Sequence, residues 1–206
     1  MKRTISLLLA LSMMFALCAC DSNKFEESYT QTYQNINSLY ESSSSAASTI
    51  YTVWNIVGSE DAMVTLSSML SIPSDFDTYF SSDVYYEGVY GYKFVKAFGW
   101  KSVDAYYGFS DEAEAKEFHQ LCVNFQNDFA KISTLSDTLH NDIKALRSEF
   151  GEKHSSEFEV LNEYYLEVSS YAEFAQSPSG TLNDYKADID NYEREISKLA
   201  KAADLY

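Results

Sequence analysis

Long stretches of this chain contain nothing that stops a helix. Only two prolines occur in 206 residues, Pro73 and Pro178, and four of the seven glycines are confined to the stretch from Gly88 to Gly108. Between the breakers the apolar residues repeat with helical spacing. From Phe118 to Phe150 they fall at Phe118, Cys122, Phe125, Phe129, Ile132, Leu139, Ile143, Leu146 and Phe150. The steps alternate four and three, with one gap at Ser136 that Leu135 fills in part. That is a heptad seam, the pattern of helices that pack side by side. Ser110, followed by Asp111, Glu112 and Glu114, suits the start of this helix, where acidic groups face the positive end of the dipole. Gly151 suits its end.

Two more stripes follow. Ser156-Glu157-Phe158-Glu159 matches a capping box, with an apolar face at Phe158, Leu161, Tyr165, Val168 and Tyr171. Thr181 with Asp184 predicts a second cap, and Leu182, Tyr185, Ile189, Tyr192, Ile196, Leu199, Ala203 and Tyr206 continue in three-four alternation. Ser177-Pro178-Ser179-Gly180 lies between them, as a kink in one layer or a tight turn between two helices. Upstream, Phe25, Tyr29, Tyr33, Ile36, Tyr40, Ala47, Ile50, Trp54 and Val57 share one broad face. The serine run at Ser42–Ser45 weakens its middle, because serine is a modest helix former, and Ser43, Ala46 and Ala47 make that middle thin, which lets a partner approach closely. Gly58-Ser59 marks a break before a shorter helix through Met63, Leu66 and Leu70. The connection from Gly151 to Ser156 is short, so the flanking helices should run antiparallel. The fold class expected is all-α in the main: an elongated antiparallel three- to four-helix bundle with coiled-coil-like heptad packing. An aromatic-rich irregular segment should cap it.

That segment, within residues 74–109, has no single helical period. Ser74 to Ser82 suits a short helix, and Tyr90 to Phe98 alternates weakly, as a strand would. Tyr and Trp offer rigid contact area with a polar tip, which suits recognition. The candidate binding surface is therefore Tyr85, Tyr86, Tyr90, Tyr92, Trp100, Tyr106 and Tyr107. The competing reading is a small aromatic core that closes one end of the helices.

The N-terminus sets the location. Lys2-Arg3 precedes an apolar run from Ile5 to Leu17, then Leu17-Cys18-Ala19-Cys20 and a polar stretch from Asp21. A basic start, a short apolar core and a small residue before the cut are the layout of a secretory signal peptide. The run is short for a membrane span, which needs about 20 apolar residues. Leu-x-Ala-Cys resembles the lipobox of bacterial lipoproteins, although Cys18 holds a position more often taken by Ala, Ser or Thr. Ala19 is the small residue expected before the cut, which favours Cys20 over Cys18. The resemblance covers the leader and Cys20 alone. It implies a signal peptide over 1–19, a single extracytoplasmic domain over 20–206, and a diacylglyceryl group on Cys20 that anchors the protein to the membrane. The implied location is the outer face of the cytoplasmic membrane, with the outer membrane as the alternative. Asp21 resembles the retention signal used for the inner membrane by two-membrane bacteria.

Charge narrows the partners. The chain is formally −16; without Lys2 and Arg3, 13 basic residues face 31 acidic ones, giving −18. Nucleic acid needs a basic face and is not an expected partner. Metal sites are not expected either. His119, His140 and His154 are far apart, with surface or capping roles expected of them, and Asp188-Ile189-Asp190 lacks the glycine of a calcium loop. Cys122 sits on the seam as a packed thiol, with no disulfide partner inside one mature chain. No nucleophile elbow or phosphate-binding loop occurs. No cofactor is expected. The function expected is a non-catalytic binding or accessory role at the cell envelope, with an envelope protein or cell-wall component as partner. The alternatives are a structural or oligomeric coiled-coil scaffold and, behind it, a hydrolase of unknown substrate.

Overall fold

The computed structural model describes residues 2–57, 62–72, 74–75 and 112–206, with side chains from Asn23 onward except those of residues 57, 62–65, 68 and 112. The protein is mainly helical, with no strand among the described residues. Among the described residues five helices follow in order: α1 (Lys2–Val57), α2 (Ala62–Ser71), α3 (Glu112–Phe150), α4 (Ser155–Gln176) and α5 (Leu182–Ala203). Among the described residues, no helix is long and apolar enough to cross a membrane. The break expected at Gly58-Ser59, the cap at Ser110 and most of the aromatic segment lie outside the described residues; Ser74 and Asp75 are exposed and not helical.

α1 runs without interruption from Lys2 through Cys20 to Val57, so no linker separates Cys20 from the packed region. The serine run does not break it. Ser42 and Ser43 hydroxyls donate to the carbonyls of Ser38 and Leu39, at 2.9 and 2.7 Å, and so are satisfied inside the helix. The next two serines point outward to neighbours: Ser44 donates to Glu193 of α5, and Ser45 to Asp128 of α3. Ser43, Ala46 and Ala47 are fully buried. The thin middle is thus where helices close in on α1.

α1 contacts each of the other described helices. Its contacts with α3 pair residues in opposite order: Phe25 with Phe150, Asn35 with Asp142, Ser45 with Asp128. Those with α4 rise together: Phe25 with His154, Tyr33 with Tyr164, Tyr40 with Tyr171. Those with α5 run in opposite order again: Tyr29 with Ala203, Ser44 with Glu193, Trp54 with Tyr185. Contacts on several sides widen the buried face of α1 beyond the expected stripe. Thr32, Leu39, Ser42, Ser43, Ala46 and Val53 are also buried, while Tyr33 and Tyr40 are only half-buried.

The seam on α3 behaves as its spacing predicts. Phe118, Cys122, Phe125, Ile132, Leu139, Ile143, Leu146 and Phe150 are buried, and Phe129 and Leu135 pack against them half-buried. α2 lies on the far part of this helix. Gln126 Nε2 donates to the carbonyls of Met69 and Ile72, at 2.8 and 2.7 Å, satisfying acceptors that the end of α2 leaves open. Among the described side chains of this segment Leu66, Met69 and Ile72 are buried; Leu70, expected on the same face, is exposed, and the side chain of Met63 lies outside those described.

Three further expectations are corrected. α4 does not begin with a capping box at Ser156. His154 takes the N-cap position with no side-chain cap bond, and Ser156 Oγ donates to Glu157 instead. The cause is the tight turn after α3, where Phe150 O accepts from both Lys153 and His154 N–H groups. The His154 ring then stacks on Phe25, with centroids 3.8 Å apart and planes 7° from parallel. The buried tyrosine of α4 is Tyr164, with Tyr165 half-buried beside it. Tyr206, the last residue of the α5 stripe, is exposed.

The α4–α5 connection is a tight turn and not a kink. Gly180 takes φ +82°, and α5 folds back along α4, stacking Tyr192 on Tyr171 at 5.1 Å and Tyr185 on Phe174 at 4.6 Å. The capping box at Thr181 forms as expected: Thr181 Oγ1 accepts from Asp184 N at 3.2 Å, and Asp184 Oδ2 accepts from Thr181 N at 3.4 Å.

Candidate functional site

The gap in the seam is where α3 and α4 leave a hollow. Ser133, Ser136, Asp137 and His140 line it from α3. Tyr165, Ser169, Ala172, Glu173 and Gln176 line it from α4. Its volume is about 290 Å³. An apolar side chain at 136 would have extended the core into this space. Serine does not, and α4 answers it with Ser169 and Ala172, which are also small. The result is a polar groove with a buried floor at Ala172, a half-buried Tyr165 ring on one wall, and two carboxylates but no lysine or arginine in its lining.

This lining supplies hydroxyl, amide, imidazole and carboxylate groups beside an aromatic face. Such a set can hydrogen-bond a neutral polar ligand or one carrying positive charge. No hydrogen bond among the described residues joins His140 to Ser133, Ser136 or Ser169, so the groove holds no assembled serine–histidine pair. No group of three or more metal-ligating side chains occurs among the described residues. A second hollow, of about 380 Å³, lies between α1 and α3. Glu27, Asp142 and Glu149 line it, and Asp142 already accepts a hydrogen bond from Asn35 at 3.3 Å.

In the core, burial displaces several protonation equilibria. Burial pushes the Cys122 thiol up to about 12, which holds it protonated and unreactive. Tyr29 rises to about 12, through burial first and then the nearby Tyr206, Tyr33, Glu157 and Asp204. Burial also raises Tyr40, Tyr164, Tyr171 and Tyr185. These are consequences of packing.

The aromatic surface residues expected from the sequence, Tyr85, Tyr86, Tyr90, Tyr92, Trp100, Tyr106 and Tyr107, lie outside the described residues. Cys20 is placed on α1 by its backbone, and its side chain is not described. Of the histidines, His140 is exposed in the groove and His154 packs on Phe25 at the turn. His119 is buried, not a surface residue. The groove was marked in the sequence only by the missing apolar residue at Ser136. The facing small residues of α4 could not be matched to it without the tertiary pairing.

Compared with known protein families, curated proteins and solved structures, the chain matches none of them.

Proposed function

We propose that this chain is a lipid-anchored, extracytoplasmic protein with a non-catalytic binding or accessory role at the bacterial cell envelope. It is built as an elongated antiparallel bundle of four long helices with heptad packing. The observation that carries the reading is the leader ending in Leu17-Cys18-Ala19-Cys20. A helix that continues from Cys20 into the packed region with no linker supports it. Cleavage before Cys20 would leave α1 starting at the lipid. Two acyl chains on Cys20 give stable anchoring where one chain is marginal.

The binding role is assigned to the α3–α4 groove and to the aromatic segment, with a cell-wall component or an envelope protein as partner. The scaffold alternative calls for a continuous apolar stripe left over for a second copy. The exposed large hydrophobics among the described residues are Leu70, Leu166, Leu205 and Tyr206, in three separate places. That favours the binding reading.

Replacing Cys20 with Ala in the native host tests the anchor. The variant should leave the membrane fraction and lose incorporated fatty acid. Retention in the membrane without label would overturn the lipoprotein assignment. The binding role is tested with residues 21–206 in a thermal-shift screen against cell-wall fragments, sugars and peptides. A ligand at a hundredfold excess over Kd raises stability by about 2.7 kcal/mol. Ser136→Phe, which fills the groove, should abolish a shift that arises there.

A further inference from the structure

Leu205 and Tyr206 stand out from the rest of the described surface. They are 82% and 60% exposed, the highest values among the large apolar side chains, and they are adjacent. Isolated exposed apolar residues are ordinary, so their place in the fold matters more than their exposure.

That place is the end of the molecule where α1 meets Cys20. Tyr29 OH donates to Ala203 O at 2.9 Å, which fixes the end of α5 at the level of Tyr29. α5 runs opposite to α1, so the residues after Ala203 continue toward Cys20. Leu205 N–H and Tyr206 N–H donate back to Ala202 and Ala203 carbonyls, which keeps these residues in a compact turn. Cys20 is nine residues before Tyr29 on a continuous helix, about 13 Å along the axis at about 1.5 Å per residue. Three residues of α5 direction recover roughly a third of that distance. The remaining separation is on the order of the interfacial layer on one side of a bilayer, about 5–8 Å, plus the reach of a side chain.

We propose that Leu205 and Tyr206 rest in the interfacial layer of the phospholipid membrane beside the lipidated Cys20 and hold the domain upright on it. This rests on the lipoprotein reading above. Tyrosine is enriched at membrane interfaces because its ring is apolar and its hydroxyl is wet, and leucine adds apolar area. Charge at this end is mixed: exposed Lys24, Lys153 and Lys201 stand near exposed Glu26, Glu27, Glu152 and Asp204. The contact is therefore apolar in character, and the cations temper the repulsion that the strongly acidic chain would otherwise feel from anionic lipids. A single anchor at Cys20 leaves the tilt free; a second contact restricts it.

The test uses the full lipidated protein in vesicles of phosphatidylethanolamine and phosphatidylglycerol carrying a headgroup-level spin-labelled lipid. Leu205→Cys and Leu166→Cys are each labelled with an environment-sensitive dye. Leu166 is 54% exposed on α4, well away from this end, and Cys122 is fully buried and does not compete for label in the folded protein. The dye at 205 should be quenched several-fold more than the dye at 166, at every protein-to-lipid ratio. Equal quenching at the two positions overturns the proposal. So does protection at 205 that grows with protein density without lipid quenching, which would mean a second copy covers this end. Mass spectrometry of the same sample reads the diacylglyceryl group on Cys20. Its absence removes the anchor reading itself, whereas its presence with equal quenching removes the membrane contact alone.

Discussion

Two buried tyrosines show how much a single hydroxyl depends on its partner. Tyr29 donates to Ala203 O, whereas the fully buried Tyr185 hydroxyl has no hydrogen-bond partner among the described residues. Removing a satisfied hydroxyl loses about 1 kcal/mol, while removing an unsatisfied buried one relieves a desolvation cost. Tyr29→Phe should therefore lower stability by about 1 kcal/mol, and Tyr185→Phe should leave it unchanged or raise it. Urea denaturation of both variants decides this; a loss at Tyr185→Phe equal to that at Tyr29→Phe would mean that Tyr185 has a partner. Neither outcome was legible from the sequence, where both residues are simply apolar-stripe tyrosines. The same blindness applies at Tyr164 and Tyr165. Either follows Leu161 with a helical step, three or four residues on, and the tertiary partners of Tyr164 distinguish them: Asn37, which accepts from its hydroxyl at 2.5 Å, and the Tyr33 ring.

Among the elements, the α4–α5 turn depends on two adjacent residues, Gly180 and Thr181. Gly180 sits at φ +82°, where a Cβ is strained, although its nearest neighbour, Asp184 Cβ, would be 3.6 Å away. Gly180→Ala should cost roughly 1 kcal/mol from backbone conformation alone. Thr181→Ala removes the reciprocal cap of α5 and should also cost about 1 kcal/mol. The two residues share one turn, so a double variant should not be additive. Gly151 is restrictive for a different reason: its φ is ordinary, but a Cβ there would lie 2.5 Å from Arg147 O. In α3, Leu139→Ala should cost about 2–5 kcal/mol, because its side chain is fully buried and the neighbouring helices limit collapse of the cavity. A shift in the denaturation midpoint with unchanged slope checks each of these.

At the scale of the whole molecule, charge and buried phenols set the response to solution conditions. Burial holds Tyr29 at about 12 and raises Tyr40, Tyr164, Tyr171 and Tyr185 above their ordinary value near 10. Above pH about 10 the unfolded chain releases phenolic protons that the folded protein still holds. The contribution of these groups is thus fully present below about pH 10 and is lost as the pH rises through the folded values. Alkaline unfolding should begin above pH 10, and the share of tyrosinate absorbance that belongs to these phenols should rise with the loss of helical circular dichroism. A full tyrosinate signal while the helices persist would contradict the burial. With 31 acidic residues against 15 basic ones, self-repulsion also opposes compaction. Raising salt from low to physiological strength should therefore increase the melting temperature, because screening shortens the reach of that repulsion.

Local chemistry alone determined that the chain is helical, where the seam of α3 runs, and that Thr181 caps α5. Each depends on residues three or four apart on one helix, so the information is carried in the spacing itself. The tertiary structure decided which residues completed the core and where it stopped. It showed α1 in contact with the four other described helices, which buries Thr32 and Leu39 beside the expected stripe. It folded α5 back on α4 through Gly180, moved the start of α4 to His154 through the stack on Phe25, and set Ser169 and Ala172 opposite Ser136 to leave a groove. Those features join residues distant in sequence, and nothing in the period of one helix says which face of another it will meet.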